Sequence, residues 1–488
     1  MLFLVTTCFL LGLLLTPATS ISPRKVTCDG TQHHVNQSDK SLYTAFFQNY
    51  NDSTVSAKSS LAFETLAAMA TVRSKGVDLG EALVAVSQIE ACMGAFQTAT
   101  LANIKSCWRE QWTSLAEHSY GKGVMYAKQA DFSAASASSY LLRACTYFQL
   151  AEKFASDHTD AAAKKLFNKS VVAFEAGVSL SNTPCQRVRI PFKSSWMHGY
   201  MCPAICKSSA TCSGKATILA HTGYDGSAEM TFHEVAHGAM QQEYNVLVFD
   251  GPGQGYTVRF NKLLFTPEWG DVVDAAINYL KKTTSSNPNN GDPLYSGWDQ
   301  LPLVLWGRSF GGYLAPRAFA DDVDHQLAAC IADGGVFDFF QSTLCDLPSA
   351  LVDLYYASPS NFDRAIAGHR SQSLSLDFLL SFSALGFGTN ASLAASSAFD
   401  ALQPYEMSKS IENIDSSRPI YVSSPPLDTL TGNQSEIFWA QLPRPLASQS
   451  SLHRPDVLGG AALHCSVGST DNSQLAILRW LENALAPL

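Results

Sequence analysis

Apolar positions follow two different rhythms along this chain, and the rhythm changes near residue 186. Residues 40–180 are rich in Ala, Ser, Leu and Lys, with almost no proline and no strand-like alternation. In "SSYLLRACTYFQLAEKFA", residues 138–155, Leu141, Ala144, Cys145, Phe148 and Ala151 recur at helical spacing. Packing between helices accounts for such a stripe, which predicts a helical domain over residues 21–185. Beyond it the period shortens. "RVRIPFKSSWMHGYMCP" alternates like a strand pair. Short apolar runs follow at βαβ spacing, namely "ATILAHTG", "YNVLVFDGPGQG", "LPLVLWGRS", "LAACIADGG" and "RPIYVSS". Helical stretches separate the first four, so residues 186–488 predict a mostly parallel sheet with crossover helices, an α/β fold. A long helical excursion over about residues 341–410 predicts a lid. There is no internal repeat and no low-complexity tract.

Two segments of the second half carry the letters of hydrolytic sites. "TFHEVAHGAM", residues 231–240, has two histidines one helical turn apart and a glutamate, which suit zinc. A third ligand is missing, because Met240 and Glu243 stand where the extended motif needs Gly and His. The next residues, "YNVLVFD", form a buried strand, so the segment is expected to be a crossover helix and no metal site is expected. In the other segment the strand "LPLVLW" runs into Gly307-Arg308-Ser309-Phe310-Gly311 and then a helix. Strand, Gly-x-Ser-x-Gly turn and helix make a nucleophile elbow, whose small flanking residues let the tight turn form.

An elbow serine needs an acid, a base and an oxyanion hole. Asp428 in "PPLDTL" is the first carboxylate after the strand "RPIYVSS", and His464 lies in the glycine-containing loop "GGAALHCSVGS". Glu436 and Asp333 remain alternative acids, and His453 an alternative base. The amides of Phe310 and Tyr224 are the expected oxyanion donors. Asp250 in "FDGPGQG" is expected to fix a turn, which is not a phosphate loop because it lacks a G-K-[ST] ending. No cofactor motif is present.

Composition narrows the setting. The 488 residues are 46% hydrophobic, enough for one large core or two medium ones. Net charge is −9 with no basic cluster, which argues against a nucleic-acid partner. "LFLVTTCFLLGLLL" followed by "TPATS" reads as a signal peptide over residues 1–20. That run is short for a membrane span of about 20 residues, and no later stretch is longer, so stable membrane insertion is not expected. Sequons at Asn36, Asn51, Asn168, Asn390 and Asn433 agree with a secreted or vacuolar glycoprotein. So do twelve cysteines, for which disulfides are the expected use. A homodimer is compatible with these features, and a small-molecule substrate is the expected partner.

Several blocks resemble a known family. "HTGYDGSAE", "YNVLVFDGPGQG", "WGRSFGGYLAPRAFA", "CIADGGVFDF", "YLLRACTYFQLAEKF" and "GAALHC" look like the dihydroxypseudooxynicotine hydrolase family of α/β-hydrolases. The resemblance covers roughly residues 107–488 in order and spacing. Relatives include fungal hydrolases that shorten polyketide pigment precursors. It implies an α/β-hydrolase fold with an N-terminal helical cap domain and a substrate pocket between the two. It also implies a triad of Ser309, Asp428 and His464, and carbon–carbon bond hydrolysis in some members. The expected function is hydrolysis of a small or medium organic molecule, a β-dicarbonyl or an ester of secondary metabolism. A carboxylesterase, a cyclase or a non-catalytic binding protein on the same fold are the alternatives.

Overall fold

The structure, a computed structural model, describes residues 23–28, 58–96, 99–129, 133–181, 185–206, 214–284, 295–391 and 393–486. The expected signal segment and the sequons at Asn36 and Asn51 lie outside the described residues.

The helical region comprises α1 (Lys58–Met69), α2 (Leu79–Gly94), α3 (Leu101–Ala127), α4 (Ala134–Lys153) and α5 (Ala161–Ser179). Polar residues mark its helix starts. Asp78 and Asp160 accept from amides three residues on, and Thr100 with Asn103 forms a reciprocal capping box. The helix α4 carries the predicted stripe but is buried well beyond it, down to Gln149, Glu152 and Lys153. They are buried because the sheet half supplies partners: Arg259 meets Glu152 at 3.0 Å, and Asp225 meets Lys153.

Eight strands form one sheet in the order β1-β2-β4-β3-β5-β6-β7-β8. They are β1 (Gln186–Phe192), β2 (Ser195–Cys202), β3 (Thr217–His221), β4 (Asn245–Phe249), β5 (Leu303–Arg308), β6 (Leu327–Asp333), β7 (Ile420–Ser423) and β8 (Ser451–His453). The pairs β1–β2 and β2–β4 are antiparallel, and all other pairs are parallel. The central strands β3, β4 and β5 are buried at every position, because helices cover both faces. Alternate side chains serve opposite cores. Ile218, Val246, Val304 and Trp306 join the N-terminal helices and the last helix, while Leu219, Leu247, Leu303 and Leu305 join the other face. The helical region therefore shares a continuous core with the sheet.

The predicted excursion is helical, from Phe339 to Leu402, and it builds a small core of its own around Phe340, Tyr355, Phe362 and Phe399. The strand β8, three residues long, has no counterpart in the sequence pattern. Among the described residues three disulfides are present, Cys28–Cys345, Cys92–Cys107 and Cys185–Cys202. The first ties the N-terminal segment to the excursion. No helix among the described residues is long and apolar enough to cross a membrane.

Candidate active site

The strand β5 runs into the expected sharp turn, and α6 (Gly311–Asp321) continues from it. Ser309 holds φ at +59°, a costly conformation for a residue with a side chain. A Cβ on Gly307 would stand 2.0 Å from the Gly311 carbonyl oxygen, so the turn closes only around glycine. The amide of Ser309 donates to Asp333 O at 2.9 Å, which fastens the elbow to the end of β6.

Residues far apart in the chain converge on that serine. His464 Nε2 lies 2.8 Å from Ser309 Oγ, and His464 Nδ1 lies 2.7 Å from Asp428 Oδ2. Asp428 also accepts from the amides of Leu430 and Thr431 at 2.9 and 3.0 Å, and from the Thr431 hydroxyl at 2.8 Å. A carboxylate with only donors around it stays ionised and accepts a hydrogen bond from Nδ1–H. That assigns Nε2 as the acceptor facing the serine hydroxyl. Burial opposes charge on His464, but the adjacent Asp428 carboxylate outweighs it and holds the imidazole well above its ordinary pKa. Burial likewise opposes charge on Asp428, and the His464 charge and the bonds from His464 and Thr431 bring it below the usual carboxylate range.

The alternatives lie elsewhere. Glu436 is gripped by Arg454 at 2.8 and 2.9 Å, and His453 on β8 packs against Tyr421. Asp333 is fully buried at the end of β6, 3.4 Å from Arg308. None of the three joins the Ser309–His464–Asp428 chain of hydrogen bonds.

One participant has no signature in the sequence. Cys465 takes a positive φ of 49° and puts its thiol beneath the elbow. Its Sγ accepts from Ser309 N at 3.2 Å, donates to Asp333 O at 3.3 Å and lies 3.5 Å from His464 Nε2. Burial pushes its pKa up, so it stays a neutral thiol.

The loop after β3 faces the elbow. A Cβ on Gly223 would stand 2.6 Å from Phe310 N and 2.8 Å from Ser309 Cβ, so only glycine leaves the space before that amide open. Gln254, from the turn that sequence reading treats as structural, donates to the carbonyls of Thr222 and Gly223 at 2.6 and 3.1 Å. A trans peptide with its carbonyl so held points the Tyr224 N–H away from Gln254. The Tyr224 hydroxyl donates to Leu379 O at 2.6 Å, and its ring packs near Phe265, Phe339, Phe382 and Phe387. Asp250 accepts from the amides of Ala228 and Tyr256 at 2.7 Å each, the turn-fixing work expected of it.

The His-Glu-Val-Ala-His segment is helical, but not a regular helix. Residues Phe232–Ala236 make a π turn in which the His237 amide bonds Phe232 O, five residues back. His233 Nδ1 is 3.2 Å from both the carbonyl and the hydroxyl of Ser74 in the helical region. Glu234 meets Arg308 at 3.3 Å, and His237 meets Gln241. Among the described residues the one cluster with three ligand-type side chains in reach of each other is His198, Glu229 and Asp250. It contains neither motif histidine, and its members are already bonded to one another or to amides.

A cavity of about 40 Å3 lies where the helical region meets the sheet half, with room for about three waters. Glu64 and Lys153 line it from α1 and α4, Asp225 from the loop after β3, His233 and Glu234 from the π turn, and Phe382 from the excursion. Phe382 is the aromatic residue of the excursion that reaches this cavity. Phe378 packs on Phe154 and Phe382, and Phe387 on Phe265 and Tyr224.

A mostly parallel eight-stranded sheet with a serine elbow after β5 is the α/β-hydrolase fold. Over 86% of this chain and 96% of the other, it matches the crystal structure of 2,6-dihydroxy-pseudo-oxynicotine hydrolase, with a TM-score of 0.60 at 16% identity. Fungal hydrolases are distant relatives in sequence. The α/β hydrolase ucsC of Acremonium sp. is 28% identical over 49% of each chain. The 20-hydroxy-prefusarin hydrolase FUS2 of Gibberella moniliformis is 28% identical over 60% of this chain and 64% of its own. The matched stretch thus spans less than two thirds of either relative. No family model matches the chain.

Proposed function

We propose that this protein is a serine-nucleophile hydrolase of a small or medium organic molecule of secondary metabolism, cleaving a β-dicarbonyl C–C bond or an ester. The observation that carries this reading is the continuous hydrogen-bonded run Ser309–His464–Asp428 set on a strained elbow. As Ser309 Oγ bonds to the substrate carbonyl carbon, its proton passes to His464 Nε2, and Asp428 holds the imidazolium in place. The carbonyl oxygen becomes an oxyanion that accepts from the amides of Phe310 and Tyr224. Collapse breaks the bond to the leaving group, an enolate carbon or an alkoxide, which takes the proton from His464. Water then releases the acyl group by the same sequence in reverse. The fungal relatives named as hydrolases favour this class of substrate.

In this reading the helical region, residues 21–185, is a cap on residues 186–488, with the excursion as a lid. Its shared core with the sheet and its side chains in the cavity favour that arrangement. Three disulfides and the exposed sequons Asn168 and Asn390 favour an oxidising, secretory setting. Mass spectrometry of protein from a eukaryotic host should find a mature N-terminus near Ile21 and glycan on at least one sequon asparagine. The chemistry is tested by product analysis on a panel of aryl β-diketones and aryl esters. Cleavage by the wild type and none by Ser309→Ala supports it; equal cleavage by both removes it.

A further inference from the structure

The candidate base sits on a loop that its own backbone does not favour. Cys465 and Ser466, directly after His464, hold φ at +49° and +56°. Conformations of that kind persist only where surrounding groups fix them. Part of the fixing is local: Ser466 N donates to Leu463 O at 2.7 Å, and Val467 N to His464 O at 3.1 Å. Another part comes from the elbow. Arg308, the residue before the serine, donates from Nη2 to the carbonyl of Cys465, the residue after the histidine, at 3.2 Å. That bond runs beside the Ser309–His464 contact, one residue removed on either segment.

The same guanidinium reaches two further segments. Its Nε lies 3.3 Å from Glu234 Oε2, and its Nη1 lies 3.4 Å from Asp333 Oδ2. Arg308 is 4% exposed. Burial opposes its charge, but the two carboxyl groups outweigh that and hold its pKa above the ordinary value. The end of β6 also presses on the loop. A Cβ on Gly334 would stand 2.9 Å from Cys465 Sγ and 3.3 Å from His464 Cε1. Glu234 lies in the π turn, a distortion that recurs at functional sites. Its carbonyl accepts from Gln474 in the helix Thr470–Ala484, which follows the histidine loop. One side chain thus joins the elbow, the π turn, the end of β6 and the loop of the base.

We propose that Arg308 is a positioning residue for catalysis: its planar fork holds the loop carrying His464 in register with the elbow serine, and Glu234 holds the fork. The proposal rests on the hydrolase reading above. Arg308 touches none of the reacting atoms and acts through His464. A base displaced by about 1 Å costs about 10^2-fold in rate. Lysine is a poor substitute, because a single ammonium cannot present the rigid set of donors that meets three segments at once.

Labelling of the full chain with a small fluorophosphonate tests this, because the rate at Ser309 needs the base but no substrate. Arg308→Lys keeps a positive charge between Glu234 and Asp333 but loses the fork, and should label about 10^2-fold more slowly than wild type. In a His464→Ala background the same substitution should change the rate less than about threefold, since nothing remains to be positioned. A purely structural role would slow labelling equally in both backgrounds. Should Arg308→Lys fail to fold, Glu234→Ala carries the test with Arg308 in place. It should slow labelling about tenfold, and Glu234→Gln, which keeps an oxygen within reach of Nε, should recover most of that loss. Equal labelling of Arg308→Lys and wild type, the same slowing with and without His464, or a Glu234→Ala rate equal to wild type overturns the proposal. The hydrolase reading fails in a different way, through a wild type that takes no adduct on Ser309, and the proposal falls with it.

Discussion

Gly307–Gly311 and His233–His237 are both five-residue segments with the letters of a hydrolytic site, and they end up in different company. At the elbow, one residue is presented by local geometry, and its base arrives from 155 residues away to lie 2.8 Å from the hydroxyl. In the histidine segment three polar side chains go to three neighbours: His233 to Ser74, Glu234 to Arg308 and His237 to Gln241. A motif therefore specifies what one turn of chain can present. Whether a site exists depends on whether distant segments deliver complementary groups to that place.

The comparison breaks most sharply at its centre. Ser309→Ala should lower kcat by about 10^6-fold, since nucleophile and base act as a unit. EDTA should leave activity intact, and His237→Ala should cost less than about tenfold, as for a side chain remote from the reaction. A steady-state assay that finds chelation or His237→Ala as damaging as Ser309→Ala would reverse the assignment of the two segments.

The acid is tested next. Asp428→Asn should lower kcat by about 10^4-fold, whereas Glu436→Gln should stay within a few-fold of wild type. The pH profile has a definite sign. Activity needs neutral His464, so kcat/KM rises as pH passes the imidazole pKa. Asp428 holds that pKa up against burial, so removing its charge lowers it. The acid limb of Asp428→Asn should therefore move to lower pH, and a limb that stays in place or moves upward contradicts the pairing.

Smaller effects refine the surroundings of the serine. Gly223→Ala places a methyl group 2.6 Å from Phe310 N, where the oxyanion is expected to sit, and should lower kcat by about 10^2-fold. Cys465→Ser keeps a group that can accept from Ser309 N and donate to Asp333 O, so its loss in kcat should stay under about tenfold. A larger loss would mean that the thiol sets the elbow's position more tightly than its two hydrogen bonds suggest.

Much of this arrangement was legible before the structure. The boundary at residue 186, the antiparallel strand pair, the parallel runs and the helical excursion follow from hydrophobic period, which depends on neighbours within one or two turns. Ser309 followed from strand–turn–helix context, and Asp428 and His464 from their order after it. The π turn was hidden because it is a one-residue change in hydrogen-bond register with no composition of its own. The burial of Glu152 and Lys153 was not legible, because it depends on Arg259 and Asp225, more than 70 residues further on. The three-residue β8 was too short to show alternation. Cys465 gave no warning, since its role comes from a left-handed backbone that nothing in its neighbours requires.

The most direct measurement of the central claim is covalent labelling with a small fluorophosphonate, read by peptide mass spectrometry on the full chain. One adduct is expected, on Ser309, with complete loss of hydrolytic activity, and a rate of labelling that falls steeply in His464→Ala. An adduct on a different residue, or none at all while the protein still turns over substrate, would contradict it.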